Sequence, residues 1–73
     1  MMKGYIIQTD TDQFVNWQGL LVNEIKNSAL FSTEADAIIV RDYSHPTAAV
    51  IPHERNDAAH GQLGTYHEYH RNT

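Results

Sequence analysis

ALFSTEADAIIVRDYSHPTAAVIP, residues 29–52, contains a helix and an apolar run that together decide the fold. The hydroxyl of Thr33 suits the N-cap of a helix, where it accepts a hydrogen bond from a first-turn amide, and two acidic residues follow near the positive end of the helix dipole. Pro46 ends the helix, because it lacks an amide proton and disfavours helical geometry at the residue before it. The pattern predicts one helix over about 33–43.

The apolar residues of this helix recur with helical spacing. Ala35, Ile38, Ile39 and Tyr43 stand at i, i+3, i+4 and i+8, and charged residues occupy positions between them. Such spacing is typical of a helix that buries one face. We therefore expect these four residues to face the rest of the domain.

Short apolar runs predict the strands of a sheet. These runs are Lys3–Gln8, Gln13–Trp17, Ala29–Phe31 and Thr47–Ile51, and the last is framed by Pro46 and Pro52. The unbroken apolar residues of the first run are more typical of a buried strand than of a half-exposed one. An irregular connection is expected between the second and third runs, with its leucines turned inward. The chain is thus predicted to be an α+β protein, a small ββαβ-type domain with one helix packed on a three- to four-stranded sheet.

These elements resemble a known group of proteins. Tyr5-Ile6-Ile7, Ala29-Leu30-Phe31 with the following Ser32-Thr33-Glu34-Ala35, and Ala49-Val50-Ile51-Pro52 are similar to segments of small, mostly uncharacterised ββαβ accessory proteins of phage, prophage and bacterial genomes. The resemblance covers about residues 3–53. It implies an accessory protein that acts by binding another protein, as a modulator or inhibitor of a host protein. It carries no catalytic residue over to this chain.

The character of the chain changes after residue 54. Residues 1–54 are predicted to form the compact domain, whereas residues 55–73 contain three histidines and a single leucine and cannot build a core of their own. We expect a flexible or partner-ordered, His-rich tail. Tyr66 and Tyr69 would give this tail an apolar surface for docking on a partner. Trp17, the single tryptophan, is either a core residue or an exposed anchor for a partner.

The tail histidines allow two interpretations. His67 and His70, at i and i+3, can share one helical face and bind zinc or nickel through neutral ring nitrogens, with His60 or His53 as a third ligand. The spacing differs from that of the zinc-protease helix, which needs histidines at i and i+4. In the other interpretation the histidines are solvated and titrate near their ordinary pKa of about 6.5. A metal-binding or pH-responsive tail is therefore an alternative function.

Composition narrows the functional classes further. Nine acidic against five basic side chains give a formal charge of −4, and the basic residues are scattered singly, so direct nucleic-acid binding lacks its electrostatic basis. The absence of cysteine excludes a disulfide framework, and no apolar run approaches the ~20 residues of a membrane span. We expect no membrane association and a cytoplasmic location. No catalytic or phosphate-binding motif is present, so we expect a non-enzymatic protein with another protein as partner, or, as a further alternative, a homodimer or other homo-oligomer.

Overall fold

The computed structural model describes residues 2–55, 63–66 and 69. Within these residues the chain forms one α-helix, a short 3₁₀ turn at Ile25–Asn27 and six strands of a single sheet. The helix α1 is Glu34–Ser44, and the strands are β1 Met2–Gln8, β2 Phe14–Val15, β3 Leu21–Val22, β4 Leu30–Phe31, β5 Ala49–Arg55 and β6 Leu63–Gly64. The predicted α+β class, with one helix packed on a small sheet, is confirmed. The sheet has more strands than the three or four predicted, because β3 and β6 lie outside the predicted apolar runs.

Strand β1 is the centre of the sheet. It pairs antiparallel with β5 along its whole length, from Met2 opposite Arg55 to Gln8 opposite Ala49. Its other edge is shared by β2 and β4, since Gln8 also pairs with Phe14, and Tyr5 pairs with Phe31. Strand β3 extends the β2 end in antiparallel fashion, and β6 pairs parallel with β4. The first strand of the chain therefore holds the others together.

Strand β5 is longer than predicted. The expected strand ended at Ile51, before Pro52, but β5 continues through Pro52 to Arg55. Among the described residues β5 pairs with β1 alone, so it is an edge strand on that side. Proline is tolerated at an edge, because its missing amide proton need not remove a hydrogen bond from the ladder. Pro52 therefore lies within the strand instead of ending it.

Helix α1 begins and ends within one residue of the predicted bounds of about 33–43. The Thr33 Oγ1 atom accepts a hydrogen bond of 3.2 Å from the Asp36 backbone amide, which satisfies one of the free first-turn donors. Glu34 and Asp36 occupy the first turn, where the helix dipole favours negative charge. The last helical residue is Ser44, followed by His45 as the C-cap and then by Pro46.

The predicted inward face of α1 is wrong. Ala37 and Val40 are the buried helix residues, whereas Ile39 is 46% exposed and Tyr43 is 91% exposed. Ala35 is exposed as well, and Ile38 is only partly buried. The surface beneath the helix already carries large aromatic rings, so small helical side chains fit against it better than Ile39 and Tyr43 would. The helix has two apolar stripes, and the smaller one faces the sheet.

Both faces of the sheet are apolar. On the helix side the buried cluster comprises Ile7, Val15, Ala29, Phe31, Ala37, Val40, Ala48 and Tyr69. A second cluster comprises Ile6, Phe14 and Leu30, with Met2, Val22 and Ile51 packed against it. Because successive strand residues point to opposite faces, Ile6 and Ile7 belong to different clusters, and both are fully buried. The prediction of a buried first strand is therefore confirmed.

The described part of the C-terminal segment packs against the domain itself. Strand β6 lies beside β4, and the Ser32 amide donates a hydrogen bond of 2.8 Å to the Gly64 carbonyl. Arg55 and Tyr69 are buried, at 6% and 7% exposure. The boundary predicted after residue 54 thus does not separate these residues from the core. The described residues of this segment add a strand and a ring to the existing core.

Candidate functional site

The side of α1 that faces away from the sheet carries an unpartnered apolar stripe. Its members are Ala35, Ile39 and Tyr43, four positions apart and thus stacked along one side of the helix. Tyr43 is 91% exposed, which makes it the most exposed large hydrophobic residue in the described part of the chain. We call Ala35, Ile39 and Tyr43 the outer stripe.

Acidic residues flank the outer stripe. At 3.6 residues per turn, Asp36 and Asp42 lie about 60° to either side of Ile39 around the helix axis. Asp42 is paired with Arg41, at 2.9 Å between Nη2 and Oδ1. Among the described residues, neither Glu34 nor Asp36 takes part in an ion pair. Of these two carboxylates only that of Asp36 borders the outer stripe, because Glu34 lies about 140° from Ile39 around the helix axis.

A second group of exposed apolar side chains lies at and beyond β3. Leu20 is 64% exposed, Leu21 is 41% exposed and Ile25 is 39% exposed. The expectation that the leucines of this connection turn inward is wrong, because Val22 is the residue of β3 that packs against the core, and its neighbour Leu21 points to the opposite face. This group lacks an aromatic residue and provides a natural comparison for the outer stripe.

The predicted partner-binding aromatics lie together near the core. The Trp17 and Phe31 ring centroids are 5.1 Å apart, Phe31 and Tyr69 are 5.9 Å apart, and Trp17 and Tyr69 are 6.4 Å apart. Tyr66 packs against the same cluster and is partly buried. This packing leaves little of Tyr69 for a partner to contact. Partner binding by Trp17, Tyr66 and Tyr69 stays a prediction.

The Trp17 ring carries a buried polar atom that has no partner among the described residues. This atom is Nε1, and buried indole N–H groups usually find an acceptor. The remainder of the residue is only partly buried and contacts Phe31 and Tyr69. Trp17 thus contributes to packing, as the core interpretation of the sequence expects.

The predicted zinc or nickel ligands His60, His67 and His70 lie outside the described residues. Within residues 2–55, 63–66 and 69, no group of three or more histidine, aspartate or glutamate side chains is arranged to hold a metal ion. His53, named in the sequence as an alternative third ligand, lies on β5. Burial, and to a lesser degree the nearby Arg55 charge, lower the pKa of His53 below its usual value. The metal site stays a prediction.

The adjacent Ser44 and His45 do contact each other at the end of α1. The His45 Nδ1 atom lies 3.0 Å from the Ser44 Oγ atom. The Ser44 hydroxyl, however, donates its proton to the Val40 carbonyl, at 2.8 Å. A nucleophile would have to give that proton to the histidine. The pair is therefore arranged as part of a helix end, not as a nucleophile and its base.

Clefts open at both ends of the β1–β5 ladder. One, of about 310 Å³, lies where the turn after β1 approaches the start of β5 and is lined by Gln8, Thr9, Asp10, Asp12, Thr47 and Ala49. The other, of about 350 Å³, lies over the β1–β5 ladder and is lined by Lys3, Gly4, Tyr5, Ser32, Pro52, His53 and Glu54. An exposed ion pair of 3.6 Å between Lys3 and Glu54 lies at the second cleft. The first lining contains two carboxylates, on Asp10 and Asp12, and the Asp12 carboxylate accepts a hydrogen bond of 3.2 Å from Gln8 Nε2.

Sequence reasoning missed the role of Arg55. Its guanidinium group is buried and donates three hydrogen bonds: to the Ser28 carbonyl at 3.1 Å, the Ile25 carbonyl at 2.9 Å and the Ser28 hydroxyl at 2.7 Å. Its Nε atom is also buried and has no partner within residues 2–55, 63–66 and 69. The side chain ties the end of β5 to the 3₁₀ turn. An isolated arginine at a predicted domain boundary carries no signal that would reveal such a contact.

Comparisons of this chain with protein-family models, with curated proteins and with solved structures find no match. The described residues contain no helix with the length and apolar character needed to cross a membrane. An assignment of function therefore depends on the surface of the domain. On that surface, the outer stripe of α1 is the group of apolar side chains whose exposure the fold does least to explain.

Proposed function

We propose that this chain is a non-enzymatic protein-binding module that docks through the outer stripe of α1. The observation that carries the proposal is the exposure of Ile39 and Tyr43 side by side on one helix. An isoleucine and a tyrosine at i and i+4 can enter a groove of another protein together, which is the usual way that an amphipathic helix is recognised. Tyrosine in particular is enriched among the residues that dominate interface energies.

The fold supports docking through the helix more than docking through the sheet edge. A free edge strand can recruit an extended peptide through its unpaired backbone groups. Strand β5 presents such an edge among the described residues, but Pro52 at its middle cannot donate a backbone hydrogen bond. The helix has no comparable obstacle, because recognition there uses side chains.

The resemblance to small phage, prophage and bacterial accessory proteins supplies the biological setting of the proposal. In that setting the chain acts in the cytoplasm as a modulator or inhibitor of a host protein. The mode of action is occupancy of a surface on the host protein, since no step of catalysis is assigned to this chain. A partner of defined structure, and not a small molecule, is then the ligand.

Affinity capture from cell extracts tests the proposal when it is carried out with matched variants. The bait is the full chain, immobilised through its N-terminus, as wild type, as Tyr43→Ser and as Leu20→Ser. We expect one protein to be retained by the wild type and by Leu20→Ser, and its retention by Tyr43→Ser to fall by about tenfold or more, the effect of losing an interface hot spot. Leu20→Ser is the control, because it removes a comparably exposed apolar side chain outside the helix.

Two results would contradict the proposal. In the first, no protein is retained above background by the wild-type chain. In the second, the retained protein is lost with Leu20→Ser but not with Tyr43→Ser, which would move the binding surface to the group around β3. Circular dichroism of each variant must show unchanged helix content, so that a loss of binding is not a loss of folding.

A further inference from the structure

We draw no further inference here: the strongest candidate, the cleft of about 350 Å³ over the β1–β5 ladder, carries nothing, because its charged residues Lys3 and Glu54 are exposed and paired with each other, the buried polar residues of the described chain, Ser28 and Arg55, do not line it, and nothing in the structure shows what it would bind.

Discussion

Replacement of Tyr69 by alanine should remove a large part of the stability of the domain. The Tyr69 ring is 7% exposed and lies 5.9 Å from the Phe31 ring and 6.4 Å from the Trp17 ring, between centroids. Deleting a buried aromatic side chain costs about 3–5 kcal/mol, because transfer free energy is lost and a cavity is left. A chain of 73 residues has a free energy of unfolding of about 4–11 kcal/mol. Tyr69→Ala should therefore be barely stable.

Urea denaturation followed by tryptophan fluorescence is the assay. Trp17 is the single tryptophan and contacts the substituted side chain, so its emission reports both global unfolding and the local change. Tyr43→Ala is the matched control, because Tyr43 is 91% exposed and its removal should change the free energy of unfolding by less than about 0.5 kcal/mol. Tyr69→Phe keeps the ring and should cost no more than about 1.5 kcal/mol.

One result would refute the reasoning behind this prediction. If Tyr69→Ala unfolds within about 1 kcal/mol of the wild type, and the native emission of Trp17 is unchanged, the C-terminal segment does not contribute its ring to the core. If Tyr69→Ala proves too unstable for a native baseline, Tyr69→Leu supplies an intermediate change. It retains an apolar side chain and should fall between the alanine and phenylalanine variants.

Three further predictions follow from contacts elsewhere in the domain. Arg55→Met should lower the free energy of unfolding by about 2–4 kcal/mol, because it leaves the buried acceptors of Ser28 unpaired. Thermal denaturation measures this loss, and a loss below about 0.5 kcal/mol would contradict the prediction. Thr33→Ala should cost about 1 kcal/mol by chemical denaturation, whereas Ser32→Ala, which removes no cap, should cost clearly less; equal losses would argue against the cap. Because folding lowers the pKa of His53, the unfolded chain binds a proton at this histidine at a higher pH than the folded chain does. The free energy of unfolding should therefore decrease as the pH falls below about 6.5. In denaturation experiments at several pH values, His53→Gln should reduce this pH dependence. An unchanged slope in the variant would assign the pH dependence to other groups.

The helix could be predicted from sequence because its signals are local. Thr33 supplies the cap through a side chain three residues from the amide it binds, and Pro46 prevents continuation at the other end. Both effects act within one turn of chain, so they hold whatever the rest of the fold does. The buried first strand was predictable for a similar reason, since consecutive isoleucines at positions 6 and 7 require cover on both faces.

The orientation of the helix could not be predicted, because two stripes of α1 have equivalent spacing. Ala37 and Val40 lie on one side, and Ile39 and Tyr43 lie on the other, where the larger apolar area suggests burial. The choice depends on the volume left by Phe31, Trp17 and Tyr69, which come from three distant parts of the chain. A local pattern does not contain that information. The residues of the candidate site were thus recognised from sequence, but as core instead of surface.

The contribution of the C-terminal segment to the sheet and the core could not be predicted, for a related reason. Gly64 and Tyr69 stand among polar residues, and neither belongs to an apolar repeat. Strand β6 exists because β4 has an edge that would otherwise be unpaired, and Tyr69 is buried beside rings supplied by other segments. Contacts of this kind depend on which edges and gaps the rest of the fold leaves open.

The central position of β1 has a consequence for how the chain reaches its native state. Gln8 pairs with Ala49 and Met2 with Arg55, so the longest ladder of the sheet joins residues about 40 to 50 positions apart. Closing so large a loop costs entropy before any ladder contact compensates for it, and folding rates fall as contacts become less local. Helix α1 and the β1–β2 turn can form early, but neither is stabilised by tertiary contacts until β5 pairs with β1. The domain should therefore fold slowly for its size and in one step, and a nascent chain that has not yet exposed Arg55 should have no stable partial fold.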